Sequence, residues 1–318
     1  MKKKKIIFNS KRPILKLGKI GEFDDSLSLV TSHLRIKKQL YLYFVGWIVP
    51  RNTRFFPSIG IAKSNLSLSK VHKQKKPIMD RNVKENLGFA SPFILPKKTK
   101  FEMWYVAIRK WIRHKSDLIP IYNLSYGVSK DGINWKCKKK EILKTQKNET
   151  ISRPWIIFYK KKYHMWYSYR ILGKNFKIGY ATSSNGINWN RRDKELKIPI
   201  KKDFNDQMSE YPAFFNHKNK FFLLFNGNNY GKTGVGLVEM KYEKNNFSII
   251  GAGISGLISA LILKKHKKKF KIFEISNKPG GIINDIPIKK NEGLLSGCQF
   301  FLGNSFWIKI LPSKIKNN

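Results

Sequence analysis

Acidic residues are scarce in this chain: 20 Asp and Glu stand against 64 Lys and Arg, leaving a formal net charge of +44. Cysteine is scarcer still. Cys137 and Cys298 are the two present, too few and too far apart for a disulfide framework or a thiolate zinc site, and a reducing compartment is the simplest inference. Long apolar runs are missing. The longest, Ile249 to Leu263, contains three glycines and falls short of the ~18 residues a membrane span needs. Met1-Lys2-Lys3-Lys4-Lys5-Ile6-Ile7-Phe8 imitates a secretory leader, but its apolar run is only three residues long, so a cytoplasmic chain is expected. The 6 histidines are isolated and show no ligand spacing, so no metal site is expected.

What is present points to a folded, β-rich chain. Apolar residues make up 41% and aromatics 14% of 318 residues, which excludes a disordered polymer and leaves room for one large domain or two ordinary ones. The positive charge has two readings. One is a polyanion binder. The other is heavy use of lysine throughout, with Lys138-Lys139-Lys140 and Lys160-Lys161-Lys162 at solvated hairpin tips. No nucleic-acid motif is found, so the second reading is preferred and no specific nucleic-acid partner is expected.

The first three quarters of the chain repeat. Val30, Pro92, Pro154 and Pro212 are spaced by 62, 62 and 58 residues. Each is followed 12 and 13 residues later by a large pair: Leu42-Tyr43, Trp104-Tyr105, Trp166-Tyr167 and Leu224-Phe225. Within a unit the pattern is strand, polar turn, strand. A third strand follows, marked by Gly60, Gly127, Gly179 and Gly236. Two units continue into near-identical hairpins, Ser129-Lys130-Asp131-Gly132-Ile133-Asn134-Trp135 and Ser183-Ser184-Asn185-Gly186-Ile187-Asn188-Trp189. Their Asp-Gly and Asn-Gly pairs supply positive φ, so Asp131 and Asn185 are read as turn residues rather than acids. Repeats of three or four strands at this period are the signature of propeller blades.

The ordered motifs Phe23-Asp24-Asp25-Ser26, Pro77-Ile78-Met79-Asp80-Arg81, Ala90-Ser91-Pro92 and Ile151-Ser152-Arg153-Pro154 resemble those of one propeller family. So do Met165-Trp166-Tyr167-Ser168-Tyr169-Arg170, Glu210-Tyr211-Pro212 and Asn226-Gly227-Asn228-Asn229-Tyr230-Gly231-Lys232-Thr233-Gly234. It is the five-bladed glycosidase-like domain also found at the N-terminus of glucosamine inositolphosphorylceramide transferase, related to glycoside hydrolase families 32 and 43. Similar bacterial proteins occur with polysaccharide-biosynthesis genes. The resemblance spans roughly residues 12–239 and implies a mainly β, five-bladed-type propeller over 1–239. Four units are visible, and the family's further blade would precede Phe23-Asp24-Asp25. Met1 to Lys19 offers one strand at most, so an incompletely closed ring with exposed edges is expected.

Glycoside hydrolysis needs two carboxyl groups flanking the scissile bond, one protonated and one ionised. In a propeller the strands nearest the axis open each blade, so their leading residues line a central pocket. Asp24, Asp25, Asp80 and Glu210 are the catalytic candidates at such positions, with Asp206 beside them and Glu210 as the general acid. Arg81 and Arg153 are candidates to hold a carboxylate ionised or to grip an anionic sugar substituent, and Trp155 and Tyr211 to stack on a sugar face. The structural alternative is that these polar residues tie the blades together around the axis. The resemblance implies one essential aspartate on the first blade, and this chain has no position that matches it. Glycan binding without hydrolysis is therefore preferred over an active glycosidase.

A second signal begins at Ser248. Gly251-x-Gly253-x-x-Gly256 follows a short apolar strand, Phe247 to Ile250, and precedes a helical stretch, Leu257 to Lys264. A second strand, Phe270 to Phe273, ends in Glu274, 18 residues past Gly256. This is the βαβ fingerprint of dinucleotide binding: Gly251 makes the tight turn, Gly253 admits a pyrophosphate, and Gly256 allows close packing. Glu274 is the candidate acceptor for ribose hydroxyls. The pair Gly280-Gly281 in Pro279-Gly280-Gly281 resembles the flavin-dependent amine oxidase and UDP-galactopyranose mutase superfamily, which implies FAD rather than NAD. That superfamily builds its site from several hundred further residues. The expectation is a truncated Rossmann segment over 240–318, joined near Met240 by a gene fusion or frameshift, that keeps its βαβ form and binds FAD weakly or not at all. The expected function is a glycan-binding or carbohydrate-active propeller of surface-polysaccharide metabolism. The alternatives are an FAD-dependent oxidoreductase with an accessory propeller, or a non-functional fusion remnant.

Overall fold

Alternation of apolar and polar residues within each unit of about sixty residues favours antiparallel hairpins. The computed structural model describes residues 12–51, 53, 55–81, 88–114, 117–218, 220–240, 247–280, 285–289 and 292–295. Gly281, Cys298 and the tail from Leu311 to Asn318 lie outside the described residues. The chain divides into two compact units, Met1–Met240 and Lys241–Asn318.

In the first unit, each repeat becomes one antiparallel sheet whose strands follow chain order. The first comprises β1 (Leu27–Ile36), β2 (Gln39–Ile48), β3 (Phe56–Asn65) and β4 (Val71–Lys73). The second comprises β5 (Phe89–Pro96), β6 (Phe101–His114), β7 (Asp117–Ser129) and β8 (Lys136–Lys139). The third comprises β9 (Glu149–Tyr159), β10 (Lys162–Ile171), β11 (Lys177–Ser183) and β12 (Asn190–Arg191). The fourth has three strands, β13 (Glu210–His217), β14 (Lys220–Asn226) and β15 (Val235–Met240). The result is a mainly β, propeller-like arrangement of four blades among the described residues, where the resemblance implied five. No strand forms over residues 12–20.

The large paired residues fall on the second strand of each blade, and all but Leu42 and Leu224 pack into the spaces between successive blades. Tyr43, Ile59 and Ile61 of the first blade meet Ile94, Met103 and Tyr105 of the second. Trp104 and Tyr126 of the second meet Ile156 and Met165 of the third. Trp166 of the third stacks on Phe214 of the fourth, ring centroids 4.1 Å apart, above Leu223 and Phe225. Burying one such side chain contributes about 2–3 kcal/mol, so these seams carry much of the stability. In three blades the third-strand glycine has a steric cause. A Cβ at Gly60, Gly179 or Gly236 would strike the ring of Phe44, Tyr167 or Phe225 lying across it.

The packing is sequential, first blade to second, second to third and third to fourth. On β1, Leu29 and Val30 remain 39% and 38% exposed, and β15 keeps an exposed apolar row in Val235 and Leu237.

The two matched hairpins are built alike. Asp131 Oδ1 accepts the backbone N–H groups of Ile133 and Asn134 at 2.9 and 2.8 Å. Asn185 Oδ1 accepts those of Ile187 and Asn188, both at 2.9 Å. Trp135 and Trp189 fold back and donate Nε1–H to the carbonyls of Gly132 and Gly186, at 3.1 and 2.9 Å. Both side chains thus close turns. The same two carbonyls also hold the preceding blade: the Tyr43 hydroxyl donates to Gly132 at 3.1 Å and Trp104 Nε1 to Gly186 at 2.7 Å. Each hairpin clasps the blade before it through a buried aromatic donor, which would be costly to leave unpaired.

In the second unit, β16 (Phe247–Ile250) and β17 (Phe270–Phe273) pair in parallel, joined by the helix α1 (Ile254–Lys265). Strands β18 (Asp285–Lys289) and β19 (Glu292–Leu295) form an antiparallel hairpin. The helix starts three residues earlier than the sequence pattern indicated, because Gly253 itself is the N-cap. No described helix is long and apolar enough to cross a membrane.

Candidate functional site

All four innermost strands are bulged, β1 between Val30 and Ser32, and the other three share one form of the bulge. The register jumps from Ala90↔Val106 to Phe93↔Trp104 in β5, and from Ser152↔Ser168 to Trp155↔Trp166 in β9. In β13 it jumps from Glu210↔Asn226 to Ala213↔Leu224. Each insertion is an Xaa-Pro pair, and its first residue is left-handed: Ser91 at φ 46°, Arg153 at 50° and Tyr211 at 54°. The proline has no N–H to leave orphaned by the bulge. Tyr211 N–H is taken by Ser168 Oγ of the neighbouring blade at 2.9 Å. A left-handed non-glycine residue costs about 1–3 kcal/mol, and such bulges re-aim side chains out of the strand's alternation.

All three re-aimed residues line one cavity of about 270 Å³ to which every blade contributes. Trp47 and Phe55 come from the first blade, Tyr122 from the second, and Arg153 and Arg170 from the third. Tyr211 comes from the fourth, and Phe176 and Tyr230 from connecting loops. Tyr230 is carried on a left-handed turn, with φ of 51° at Asn229 and 58° at Tyr230. That turn is anchored by buried Asn228, whose Oδ1 accepts the N–H of Gln207 and Met208 at 3.1 and 2.9 Å. The Arg153 guanidinium lies 4.5 Å from the Tyr211 ring centroid, and that of Arg170 lies 4.5 Å from Phe176. These are cation–π distances.

Glu210 opens β13 beside this cavity. It is fully buried, and neither carboxylate oxygen has a hydrogen-bond partner among the described residues. Burial pushes its pKa up to about 7 against the opposing pull of Arg153 and Arg170. Burial, reinforced by Glu210, pushes the Tyr211 phenol up to about 12, and burial also raises Tyr122. Burial lowers the Arg153 pKa, with Tyr211 and Glu210 acting to restore it. A carboxyl group half-protonated near neutrality has the proton affinity of a general acid. A second carboxylate across the cavity is not among its described lining residues. The two-carboxylate arrangement of a glycosidase is therefore not assembled by these residues.

The remaining predicted residues lie elsewhere. Asp24 is fully buried on the far side of the first blade, paired with Lys73 Nζ of β4 at 2.6 Å. Asp25 sits in a turn, where the Ser26 hydroxyl and the Gly21 N–H donate to it and hold its pKa down. Asp80 is exposed and accepts from Ser58 Oγ at 2.8 Å. Arg81 lies 4.0 Å from Asp80 and 5.8 Å from the Phe56 ring, and its charge also reaches Asp25, so these three form a separate group outside the cavity lining. Trp155 packs on Phe93, centroids 5.2 Å apart, in the seam between second and third blades. Asp206 accepts from Asn228 Nδ2 at 2.7 Å and so supports the Tyr230 turn. The structure thus brings Glu210, Arg153 and Tyr211 together and disperses Asp24, Asp25, Asp80, Arg81 and Trp155. It adds Arg170, Tyr122, Phe176 and Tyr230. Arg170 and Tyr230 stand in the quoted motifs, so their signal was present; Tyr122 and Phe176 carry none beyond being aromatic.

In the second unit Gly251 has φ 90°, and a Cβ on Gly256 would collide with the Gly251 carbonyl. The close helix–strand approach of a dinucleotide turn is thus present. The α1 N-terminus begins at Gly253 with no side-chain cap, so its first N–H groups have no capping acceptor. Gly280 pairs with Gly253 through an isolated parallel bridge, its N–H donating to Ala252 O at 2.9 Å. Glu274 directly follows β17. Its oxygens accept the backbone N–H of Ala252 and both the N–H and hydroxyl of Ser276, which hold its pKa down near 2. The carboxylate is thus bonded to the glycine loop. Among the described residues no group of three or more His, Cys, Asp or Glu is placed to hold a metal.

Residues 249–309 match the NAD(P)-binding Rossmann-like domain family. Over 240 residues the chain is 28% identical to an uncharacterized protein of Mycobacterium tuberculosis, covering 74% of this chain and 79% of that one. Among solved structures it resembles a BT0996 complex with RGII, with TM-score 0.55, 15% identity, and 72% and 73% of the two chains covered. A glycoside hydrolase matches with TM-score 0.54 at 16% identity over 70% and 72%. A β-fructofuranosidase of glycoside hydrolase family 32 from Bombyx mori matches with TM-score 0.50 at 15% identity, over 66% and 47%. At these identities the likeness establishes a glycoside hydrolase-like propeller fold.

Proposed function

We propose that the first unit is a glycan-binding propeller whose inter-blade cavity receives a single sugar residue. The observation that carries this reading is the cavity itself. Its volume of about 270 Å³ is near the lower end of the roughly 300–1,000 Å³ of ligand clefts. Its wall of aromatic rings suits the apolar face of a pyranose, and three strained bulges aim side chains into it. The propeller-fold likeness to carbohydrate-active proteins supports the reading. Titration calorimetry of the full chain against monosaccharides and short oligosaccharides tests it. Tyr211→Ala is expected to weaken sugar binding by roughly tenfold through loss of ring contact. Glycan hydrolysis that disappears in Glu210→Gln would instead assign catalysis to this cavity.

A second reading concerns the glycine turn, favoured by its geometry and by the family match. The turn would hold a dinucleotide, with Gly251, Gly253 and Gly256 at the pyrophosphate and Gly280 beside them; such a cofactor supplies hydride or electron transfer when bound. The pair at Gly280 and Gly281 favours FAD. Glu274 would have to release Ala252 to reach a ribose, so affinity is expected to be low. Titration with FAD, NAD and NADP followed by fluorescence tests this, and Gly256→Val is expected to weaken any binding at least tenfold by blocking the approach of helix to turn. Indifference of binding to that substitution would place the cofactor elsewhere.

A further inference from the structure

The cavity has two charged side chains among its described lining residues, Arg153 and Arg170, and both are cations. Elsewhere in the propeller, guanidinium groups of similar burial meet carboxylates. Arg81 lies 4.0 Å from Asp80, Arg109 lies 3.5 Å from Glu141, and Arg191 lies 2.8 Å from Glu149. Arg153 and Arg170 face aromatic rings instead, and neither is in an ion pair with a carboxylate among the described residues. Both act on the buried Glu210, yet neither pairs with it, so two guanidiniums converge on a space that holds no protein anion within ion-pair reach. A half-buried cation without an anion is a poor arrangement for stability alone. The bulge at Arg153, with φ 50°, presents that residue to the cavity.

We infer that the sugar bound in this cavity is anionic, carrying a carboxylate or phosphoryl group that Arg153 and Arg170 grip together while the aromatic wall takes the ring. This rests on the glycan-binding reading above. Guanidinium forks match both groups bidentately, and charge-assisted hydrogen bonds in a partly desolvated site are the strong ones. A net charge of +44 would also concentrate acidic glycans near the protein and raise their association rate, in a salt-dependent manner.

The test is competition calorimetry on the full chain at fixed ionic strength. Glucuronate, galacturonate and glucose 1-phosphate are compared with neutral glucose and galactose. At least one acidic form is expected to bind tenfold or more tightly than its neutral counterpart, and the uronate and phosphate arms identify which group is recognised. In Arg153→Gln and Arg170→Gln that acid-over-neutral ratio is expected to fall to within about threefold. Arg170→Lys should recover only part of it, because an ammonium lacks the planar fork. Lys138→Gln, at a position exposed on the outer strand β8 and not at a hairpin tip, should keep the ratio. Equal affinity for acidic and neutral sugars in the unmodified protein overturns the inference and leaves glycan binding standing. An acid preference that survives both arginine substitutions overturns it too, assigning the effect to overall charge. Failure of every sugar to bind sinks the glycan-binding reading and the inference with it.

Discussion

Replacing Arg191 with alanine is expected to lower the unfolding free energy of the propeller by about 3–5 kcal/mol, the usual cost of stranding a buried charge. Glu149 is 1% exposed at its side chain, and its carboxylate is held by Arg191 Nη1 and Nη2 at 2.8 and 2.9 Å and by the Gln146 N–H at 2.9 Å. The same guanidinium donates to Asp193 Oδ2 at 2.7 Å. Asp193 Oδ1 in turn accepts the Tyr167 hydroxyl at 2.6 Å and the Tyr180 N–H at 2.9 Å. One network thereby ties β9, β10, β11 and β12, all four strands of the third blade. Without Arg191, Glu149 would be an uncompensated anion in the core. Urea unfolding at neutral pH measures the loss, and the midpoint of thermal unfolding should drop by roughly 6–20 °C. Lys220→Ala is the control, because the Lys220–Glu239 pair is exposed at 59% and 40% and such pairs contribute less than ~1 kcal/mol. Equal losses in the two variants would show that Glu149 finds another partner and that the network is not cooperative.

Glu210→Gln should do the opposite at alkaline pH and stabilise the protein. The pKa of Glu210 is raised by burial from its ordinary value of 4.5 to about 7. Below pH 4.5 both folded and unfolded chains carry the proton, so the group is neutral to stability. Between 4.5 and 7 the unfolded chain releases it first, and stability falls with rising pH until the folded chain has also ionised. The full shift converts to about 3 kcal/mol at 1.36 kcal/mol per unit, and relaxation of the surroundings around the buried charge brings the expected cost to about 2 kcal/mol. A glutamine never ionises. The stability difference between variant and parent should therefore grow from near zero at pH 4.5 to about 2 kcal/mol at pH 8, as read by urea unfolding at pH 4.5, 6 and 8. A flat difference across that range would falsify the assignment of a buried, protonated Glu210. The group faces Arg153 on β9, Arg170 on β10, Tyr122 on β7 and Tyr211 on its own strand. Above pH 7 it becomes an internal anion beside the two arginines, so affinity for an acidic sugar should decline there.

These two cases share a cause in composition. With 20 acidic residues against 64 basic ones, a carboxylate in the interior has cations close by. Whether it becomes a structural anchor, as Glu149 does, or a proton-holding group, as Glu210 does, depends on whether an arginine reaches ion-pair distance. Sequence alone does not specify that distance.

Much of the architecture was nevertheless legible. The spacing of Pro92, Pro154 and Pro212 marked the blades and, unforeseen, the bulges that aim Ser91, Arg153 and Tyr211 into the cavity, because a proline tolerates the missing ladder bond where the strand must kink. The third-strand glycines and the Asp131 and Asn185 turns were readable because their causes are local: a ring crossing a strand, a positive φ, a side chain bonding its own backbone. The βαβ turn at Gly251 was readable for the same reason.

What the sequence could not assign is which polar residues meet. Asp24 and Asp25 are adjacent in the chain, yet one is buried against Lys73 on the far side of its blade and the other sits in a turn within reach of Arg81's charge, since neighbouring side chains in extended or turning backbone point different ways. Trp155, two residues from Arg153, is carried by the same strand into a seam rather than the cavity. Arg170 and Tyr230 came from other elements altogether. Periodicity and turns follow from local sterics and so are written in the chain. The pairing of Arg153 and Arg170 around a space without a protein anion is settled by contacts between blades, where the tertiary structure alone sets the distances.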